Sequence, residues 1–249
     1  KNIAEKRFPT REEMDRVSAS HPVMLYHNDT HPFAFNTAGI EIMKLDPAID
    51  GIETDSCGEP TGFVTDPAFM EVADNLIELF TDEELLEGYH SIDEYAVSGG
   101  ITTVYTKDYY KILRLFRDHR DEFKTEIKPM LRTRNCSDSD NLGKLMNDEE
   151  LREMTCVCAF ADGAFDGYTG SVVEPYEGYP DRFGMLFQSA EELYRYFEGP
   201  HREGMQLSCH AIGDNGIEIA LKVYERLLEN YPRKDHRHRI EHFEMPKRS

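Results

Sequence analysis

The stretch MQLSCHAIGDNGIEIALKVYERLLENY, residues 205–231, is a short apolar run followed by a longer segment with helical patterning. The same order repeats from about residue 95 onward. Four more apolar runs predict strands, and helical or loop segments separate them: GITTVYT (100–106), EIKPMLRTR (126–134), TCVCAFA (155–161) and HRIEHFE (238–244). Such alternation predicts a parallel sheet covered by helices. The strand count leaves two folds open, part of an eight-stranded barrel and an open doubly wound sheet.

The first part of the chain has a different pattern. Residues 21–45 read as strand, turn, strand and short helix, and residues 58–67 read as a turn-rich hairpin. We therefore predict a small α+β lobe at residues 1–67 and an α/β domain at residues 68–249. Three capping boxes predict helix starts: Thr10 with Glu13, Thr81 with Glu84, and Ser189 with Glu192. The box at Thr81 predicts a break in the acidic helical segment that joins the two parts of the chain.

Composition excludes several classes of partner. The 249 residues carry 48 acidic and 28 basic side chains, a net charge of −20, which repels nucleic acid and anionic membrane surfaces. No apolar run approaches the roughly 18 residues that a spanning helix needs. The five cysteines are an odd number at irregular spacing, so they do not indicate a disulfide framework. We expect a protein of a reducing compartment, by default the cytoplasm.

Three metal-capable side chains lie at or near the carboxyl ends of predicted strands, where parallel α/β folds gather their reactive groups. They are Cys158 in TCVCAFADG, His210 in LSCHAIGD and His242 in RIEHF. Imidazole and thiolate are good ligands for zinc, which lowers the pKa of a bound water to near 7. Each residue also has a structural explanation, a hydrogen-bonded histidine or a small cysteine filling the core.

Other polar residues near these strand ends admit two interpretations. Asp162 and Asp214 are carboxylates that orient a ligand imidazole, or they are turn and helix-cap residues, and for Asp214 we favour the cap. His236 and His238 lie earlier on their strand and are predicted to be bystanders. The segment FADGAFDG has no phosphate-loop lysine, and no G-x-S-x-G elbow occurs. Phosphate binding and serine-hydrolase chemistry are therefore not expected.

Seven segments, taken in order, resemble the metal-dependent amidohydrolase superfamily in its N-substituted formamide deformylase-like branch. They are FPTREEMDRVSASHPVML, NDTHPFAFNTAGI, GEPTGFVTD, GGITTVYT, FADGAFDGYTGSVVEPY, HAIGDNGIEIAL and HRIEHFE. The resemblance implies a (β/α)₈ TIM-type barrel with a lobe inserted between barrel strands one and two. The five predicted strands would then be about strands two to six of a partial barrel, and residues 1–67 would be part of the inserted lobe.

The resemblance also implies a set of metal ligands. His210 and His242 match the family's histidines on barrel strands five and six. Cys158 stands where relatives have a lysine that can be carbamylated, and a thiolate cannot replace a bridging carbamate, so a mononuclear or altered site is expected. The strand-one His-x-His pair is missing, and Ser249 precedes the position of strands seven and eight. We therefore expect an internal piece of a longer hydrolase, inactive alone, that dimerises through exposed barrel edges.

The function implied by the resemblance is metal-dependent hydrolysis of carbon–nitrogen bonds other than peptide bonds in small molecules, with zinc as the expected metal. His31, in DTHPFAFN, and Asp162 are the candidate substrate contacts. The alternative is a non-catalytic amidohydrolase-like domain that serves binding or assembly. A third class, a glycosidase with paired carboxylates, is disfavoured because the strand ends offer histidines and a cysteine.

Overall fold

The computed structural model describes residues 7–26, 32–65, 68–133, 136 and 140–247. The chain forms two compact units, Lys1–Phe80 and Thr81–Ser249. Among the described residues, no helix combines the length and the hydrophobicity needed to cross a membrane.

The first unit contains a four-stranded antiparallel sheet. Its strands are β1 (Met24–Tyr26), β2 (Phe33–Phe35), β3 (Ile52–Thr54) and β4 (Pro60–Val64), which lie in the order β1-β2-β4-β3. Its helices are α1 (Arg11–Asp15), α2 (Thr37–Met43) and α3 (Phe69–Ile77). Gly62, in β4, has a φ of 90°, and a Cβ there would collide with the carbonyl oxygen of Phe35. The predicted succession of two strands, a helix and a hairpin is confirmed.

The core of this unit explains where the chain divides. Its buried members are Phe33, Phe35, Met43, Leu45, Ile52, Val64, Ala68 and Val72. Because Ala68 and Val72 belong to this core, helix α3 belongs to the first unit. The structure therefore divides after Phe80, whereas the sequence predicted a boundary after residue 67.

The second unit contains a five-stranded parallel sheet, as predicted. Its strands lie in chain order and are β5 (Thr103–Asp108), β6 (Glu126–Thr133), β7 (Cys156–Phe160), β8 (Leu207–Ala211) and β9 (Arg239–His242). The helices are α4 (Asp82–Ser98), α5 (Tyr110–Asp118), α6 (Asp140–Met146), α7 (Glu149–Met154), α8 (Ala190–Arg202) and α9 (Asp214–Asn230). This order is consistent with part of a TIM-type barrel.

One face of this sheet packs against the helices. In α9 the residues Ile217, Ala220, Val223, Tyr224 and Leu227 are buried, which is the stripe expected of an amphipathic helix on a sheet. They join side chains from alternate positions of the strands, among them Leu131, Val157, Ala159, Leu207 and Cys209. This burial is what orients the remaining strand positions toward the opposite face.

The opposite face is concave, so the sheet is curled into a half-barrel. The guanidinium of Arg239, in β9, lies 4.4 Å from the ring centre of Tyr105, in β5, although these are the first and last strands. In a flat sheet, four strand steps of about 4.8 Å would separate them by about 19 Å. A small apolar cluster lines this face: Met130, Cys156, Cys158 and Phe160, with Phe187 against it.

The three predicted capping boxes are confirmed. Thr10, Thr81 and Ser189 each accept a hydrogen bond from the backbone N–H three residues on, and the glutamate there reaches back to the cap. Thr81 caps α4, so the acidic segment does break there into α3 and α4. These local hydrogen bonds set helix starts independently of tertiary packing, which is why the sequence predicts them.

Candidate functional site

His210 and His242 lie together at the carboxyl ends of β8 and β9. Their ring centres are 4.6 Å apart, with an angle of 69° between the planes. The register pairs His210 with Glu241 and Ala211 with His242, so regular alternation would turn His242 away from His210. His242 and Phe243 instead have φ values of 69° and 54°, in the left-handed region. The strand ends on this turn, which brings the second imidazole to the first.

The His210 ring is buried and held by neighbouring groups. It is 5% exposed and stacks on Phe160, with the ring centres 4.6 Å apart. Burial, with smaller contributions from His242 and Lys107, lowers the pKa of His210 to about 4, although Asp162 opposes the shift. Burial also lowers the pKa of His242. Both imidazoles are therefore neutral at pH 7, which is the form that binds metal ions.

Asp162 supports the loops around His210. It is fully buried, and its Oδ1 accepts a hydrogen bond from the Ile212 N–H at 2.9 Å. Its Oδ2 accepts hydrogen bonds from the N–H groups of Ser171, at 2.9 Å, and Gly213, at 2.8 Å. The carboxylate thus ties the loop after β7 to the loop after β8. Its Oδ1 is also 3.7 Å from Nδ1 of His210, which is too long for a hydrogen bond but close enough to act electrostatically.

Cys158 lies on the concave face but away from the histidine pair in register. It pairs with Ser208, whereas Phe160 pairs with His210. The side chain is fully buried, and burial raises the pKa of the Cys158 thiol, which keeps it protonated. Across the described ranges, no group of three or more His, Cys, Asp or Glu side chains is arranged to hold a metal ion. Within the part of the chain that the structure describes, His210 and His242 come together without a third such ligand.

Two further predicted site residues, Asp214 and His31, are not part of the histidine pair as the structure describes it. The prediction that Asp214 caps α9 is wrong, because Gly213 is the N-cap and Asp214 is the first helical residue. Asp214 Oδ1 instead accepts a hydrogen bond from the Val173 N–H at 2.9 Å, which fastens the loop after β7 to the helix start. His31 lies outside the described residues.

His236 and His238 form a His-x-His sequence directly before β9, whereas His242 is the last residue of that strand. Nε2 of His238 is 2.8 Å from Nδ1 of His201, and its Nδ1 accepts a hydrogen bond from the Leu207 N–H at 3.1 Å. Nε2 of His201 is 2.8 Å from the carbonyl oxygen of Tyr231. These contacts assign the imidazoles of His201 and His238 to packing between α8, the start of β8 and the segment before β9.

Lys107 is the residue near the pair that sequence reasoning missed. Its Nζ lies 5.5 Å from the ring centre of Phe160, the ring that stacks on His210. The alternation of side chains along the strand predicted that Lys107 faces inward. Lys107 is two residues after Tyr105 and pairs with Met130, and both of these residues face the concave side. The closeness of β5 to β8 and β9 depends on the curl of the sheet, which the sequence pattern does not specify.

The imidazole pair fits a divalent metal ion in part. Nδ1 of His210 is buried and has no hydrogen-bond partner among the described residues, so its polar capacity is unused. Two neutral imidazoles supply half of a tetrahedral zinc shell. The stacking on Phe160 fixes the plane of the His210 ring, and the neighbours of metal-binding histidines commonly fix the ring in this way.

Comparisons with known proteins agree with the fold. The chain is 27% identical over 256 residues to Protein LONG AFTER FAR-RED 3 of Arabidopsis thaliana, covering 94% of this chain and 44% of that protein. It is 22% identical over 253 residues to the N-substituted formamide deformylase of Arthrobacter pascens, covering 90% and 44%. The chain spans about half the length of the curated relatives it matches.

A solved structure has the same fold over most of the chain. It is the crystal structure of an uncharacterized metal-dependent hydrolase from Pyrococcus horikoshii, with a TM-score of 0.69 and 22% identity, over 88% of this chain and 45% of that one. The family match is the broadest finding, because it covers residues 1–248. With the half-barrel and the histidine pair at its carboxyl edge, this match shows that the chain belongs to the amidohydrolase family.

Proposed function

We propose that the protein of which this chain forms part is a metal-dependent hydrolase that acts on carbon–nitrogen bonds other than peptide bonds in small molecules, with zinc as the metal. The observation that supports the proposal most is the contact of two neutral imidazoles at the carboxyl edge of the parallel strands, with their ring centres 4.6 Å apart. The distant similarity to an N-substituted formamide deformylase supports the class of bond.

His210 and His242 would hold the metal. When bound, a zinc ion polarises a substrate carbonyl and lowers the pKa of a coordinated water. Phe160 fixes the plane of the His210 ring, and Asp162 holds the loops on either side of it through its three backbone hydrogen bonds. Cys158 would be a third ligand only after its buried thiol loses a proton. A metal at the imidazole pair would otherwise complete its shell with water or substrate.

The second candidate is a non-catalytic amidohydrolase-like domain that serves binding or assembly. It is favoured by one observation, that the described part of the chain gathers two metal-capable side chains and no third. The two candidates differ in what they require of the imidazoles. A hydrolase needs them to bind a metal ion, whereas a binding domain does not.

Cobalt binding tests the metal role of this chain directly. We expect purified chain to bind about one Co²⁺ with weak affinity, seen as visible absorption and by equilibrium dialysis, because two protein ligands hold a metal loosely. His210→Ala and His242→Ala should each lower the affinity by about tenfold or more, since they remove one of the two imidazoles. His21→Ala, at an exposed histidine of the first unit, is the matched control and should bind like the unsubstituted chain.

The result that would contradict the proposal is equal Co²⁺ binding by both variants and the unsubstituted chain. Hydrolysis is then tested in the longer protein with N-substituted formamides as substrates. Loss of activity in both variants, with His21→Ala active, is the expected outcome.

A further inference from the structure

Two cations converge on the aromatic ring that supports His210. Nζ of Lys107 lies 5.5 Å and Cζ of Arg132 lies 5.8 Å from the ring centre of Phe160. Lys107 is near the end of β5 and Arg132 near the end of β6, so both reach the concave face at its carboxyl edge. The chain as a whole carries a net charge of −20. A pair of cations at this edge is therefore opposite in sign to the rest of the molecule.

The acidic groups beside the site are already engaged. Asp162 accepts three backbone hydrogen bonds, as described above. Glu241 accepts a hydrogen bond from Ser208 at 2.8 Å and pairs with Arg239 at 3.0 Å. No carboxylate in the described part of the chain forms an ion pair with Lys107. A half-buried ammonium without a counterion retains its capacity to bind an anion.

A short series of contacts links the Lys107 ammonium to the imidazole pair. The contacts run in order from Lys107 to Phe160, from Phe160 to His210 and from His210 to His242. A small molecule at the imidazole pair can therefore reach the ammonium with a second group.

We propose that Lys107 binds a carboxylate of the substrate, so that the molecules acted on at the imidazole pair carry an anionic group a few atoms from the scissile carbon–nitrogen bond. This inference rests on the proposed function for the identity of the reacting bond. The carboxylate would offset the positive charge that Lys107 brings next to a metal site. Arg132, on the other side of Phe160, adds to the positive potential that attracts the anion.

Binding of a simple anion to the metal-free chain tests the proposal without turnover. The probe is succinate, and the uncharged succinamide is its control, with binding followed by NMR of the histidine ring protons at low ionic strength. We expect succinate to bind and succinamide not to bind. Lys107→Gln should lower the succinate affinity by about tenfold, the loss typical of one charge-assisted hydrogen bond. Lys107→Arg should retain most of it.

Lys128→Gln is the matched control. Lys128 faces the same side of the sheet, two positions before Met130, and its ammonium pairs with Glu126 at 2.5 Å. This variant should bind succinate within twofold of the unsubstituted chain. Equal succinate binding by the folded Lys107→Gln variant, checked by circular dichroism, would overturn the proposal. That result would leave the Co²⁺ test of His210 and His242 unaffected, so the two failures are distinguishable.

Discussion

At the scale of single residues, the histidine pair depends on the backbone conformation of His242 and on the burial of His210. His242 takes a left-handed conformation, with a φ of 69°, that an ordinary residue adopts at a cost. His210 is buried at a cost to its charged form, which lowers its pKa to about 4. Both costs are characteristic of functional positions.

Asp162 supplies the rigidity that these positions need. Replacing it by alanine would leave three buried N–H groups, of Ser171, Ile212 and Gly213, without acceptors. Each orphaned group costs about 1–3 kcal/mol, so we expect Asp162→Ala to lower the free energy of unfolding by at least about 3 kcal/mol. Urea denaturation followed by circular dichroism measures the change.

The matched control for this prediction is Asp166→Ala, at an exposed position in the same loop. It should change the free energy of unfolding by less than about 0.5 kcal/mol. Asp162→Asn should fall between the two, because an amide keeps one acceptor oxygen. A similar loss in Asp162→Ala and Asp166→Ala would show that the buried carboxylate does not organise the loops.

At the scale of helices and strands, the sequence predicts what local periodicity encodes and misses what the curl of the sheet creates. Capping boxes at Thr10, Thr81 and Ser189 depend on neighbours three residues apart, so they are readable. The contact between Lys107 and Phe160 joins β5 to β7 across the concave face. No local pattern contains that distance. The left-handed turn at His242 is likewise unmarked, because neither His242 nor Phe243 is a glycine.

The contact of His201, in α8, with His238, directly before β9, predicts that the stability of the chain depends on pH. Burial, His236, His201 and Arg233 lower the pKa of His238 to about 3, below the ordinary 6.5. Between these values the unfolded chain binds a proton that the folded chain does not, so stability falls as pH decreases below about 6.5. We expect the urea concentration at the midpoint of unfolding to decrease when the pH is lowered from 7 to 5.

His238→Asn tests which group carries this dependence. The asparagine oxygen can still accept the hydrogen bond from the Leu207 N–H, but the side chain does not titrate. We expect the variant to be less stable at pH 7 and to lose less stability than the unsubstituted chain between pH 7 and pH 5. The control is His119→Asn, whose imidazole pairs with Glu122 at the surface. An unchanged pH dependence in His238→Asn would exclude His238 as a source.

At the scale of the whole molecule, the net charge and the unpaired sheet edges have opposite effects on self-association. In the described sheet, β5 and β9 each pair with a single neighbour, so each has backbone groups that form no ladder within the sheet. Such edges favour pairing with a second copy of the chain. The net charge of −20 opposes that pairing by long-range repulsion. Added salt screens the repulsion without affecting backbone hydrogen bonds much.

We therefore expect this chain to self-associate in sedimentation velocity experiments, more strongly at 0.5 M than at 0.05 M sodium chloride. The Glu126 N–H donates to the Thr102 carbonyl at 2.8 Å, which places the backbone groups of Thr102 toward β6. The backbone N–H and C=O groups of successive residues point toward opposite neighbours in the sheet, so the N–H of Thr103 points away from β6, toward the unpaired edge of β5. Thr103→Pro removes that donor while keeping the β5–β6 ladder, and should weaken association, whereas Thr103→Ala should not. A chain that stays monomeric at both salt concentrations would show that its edges do not pair.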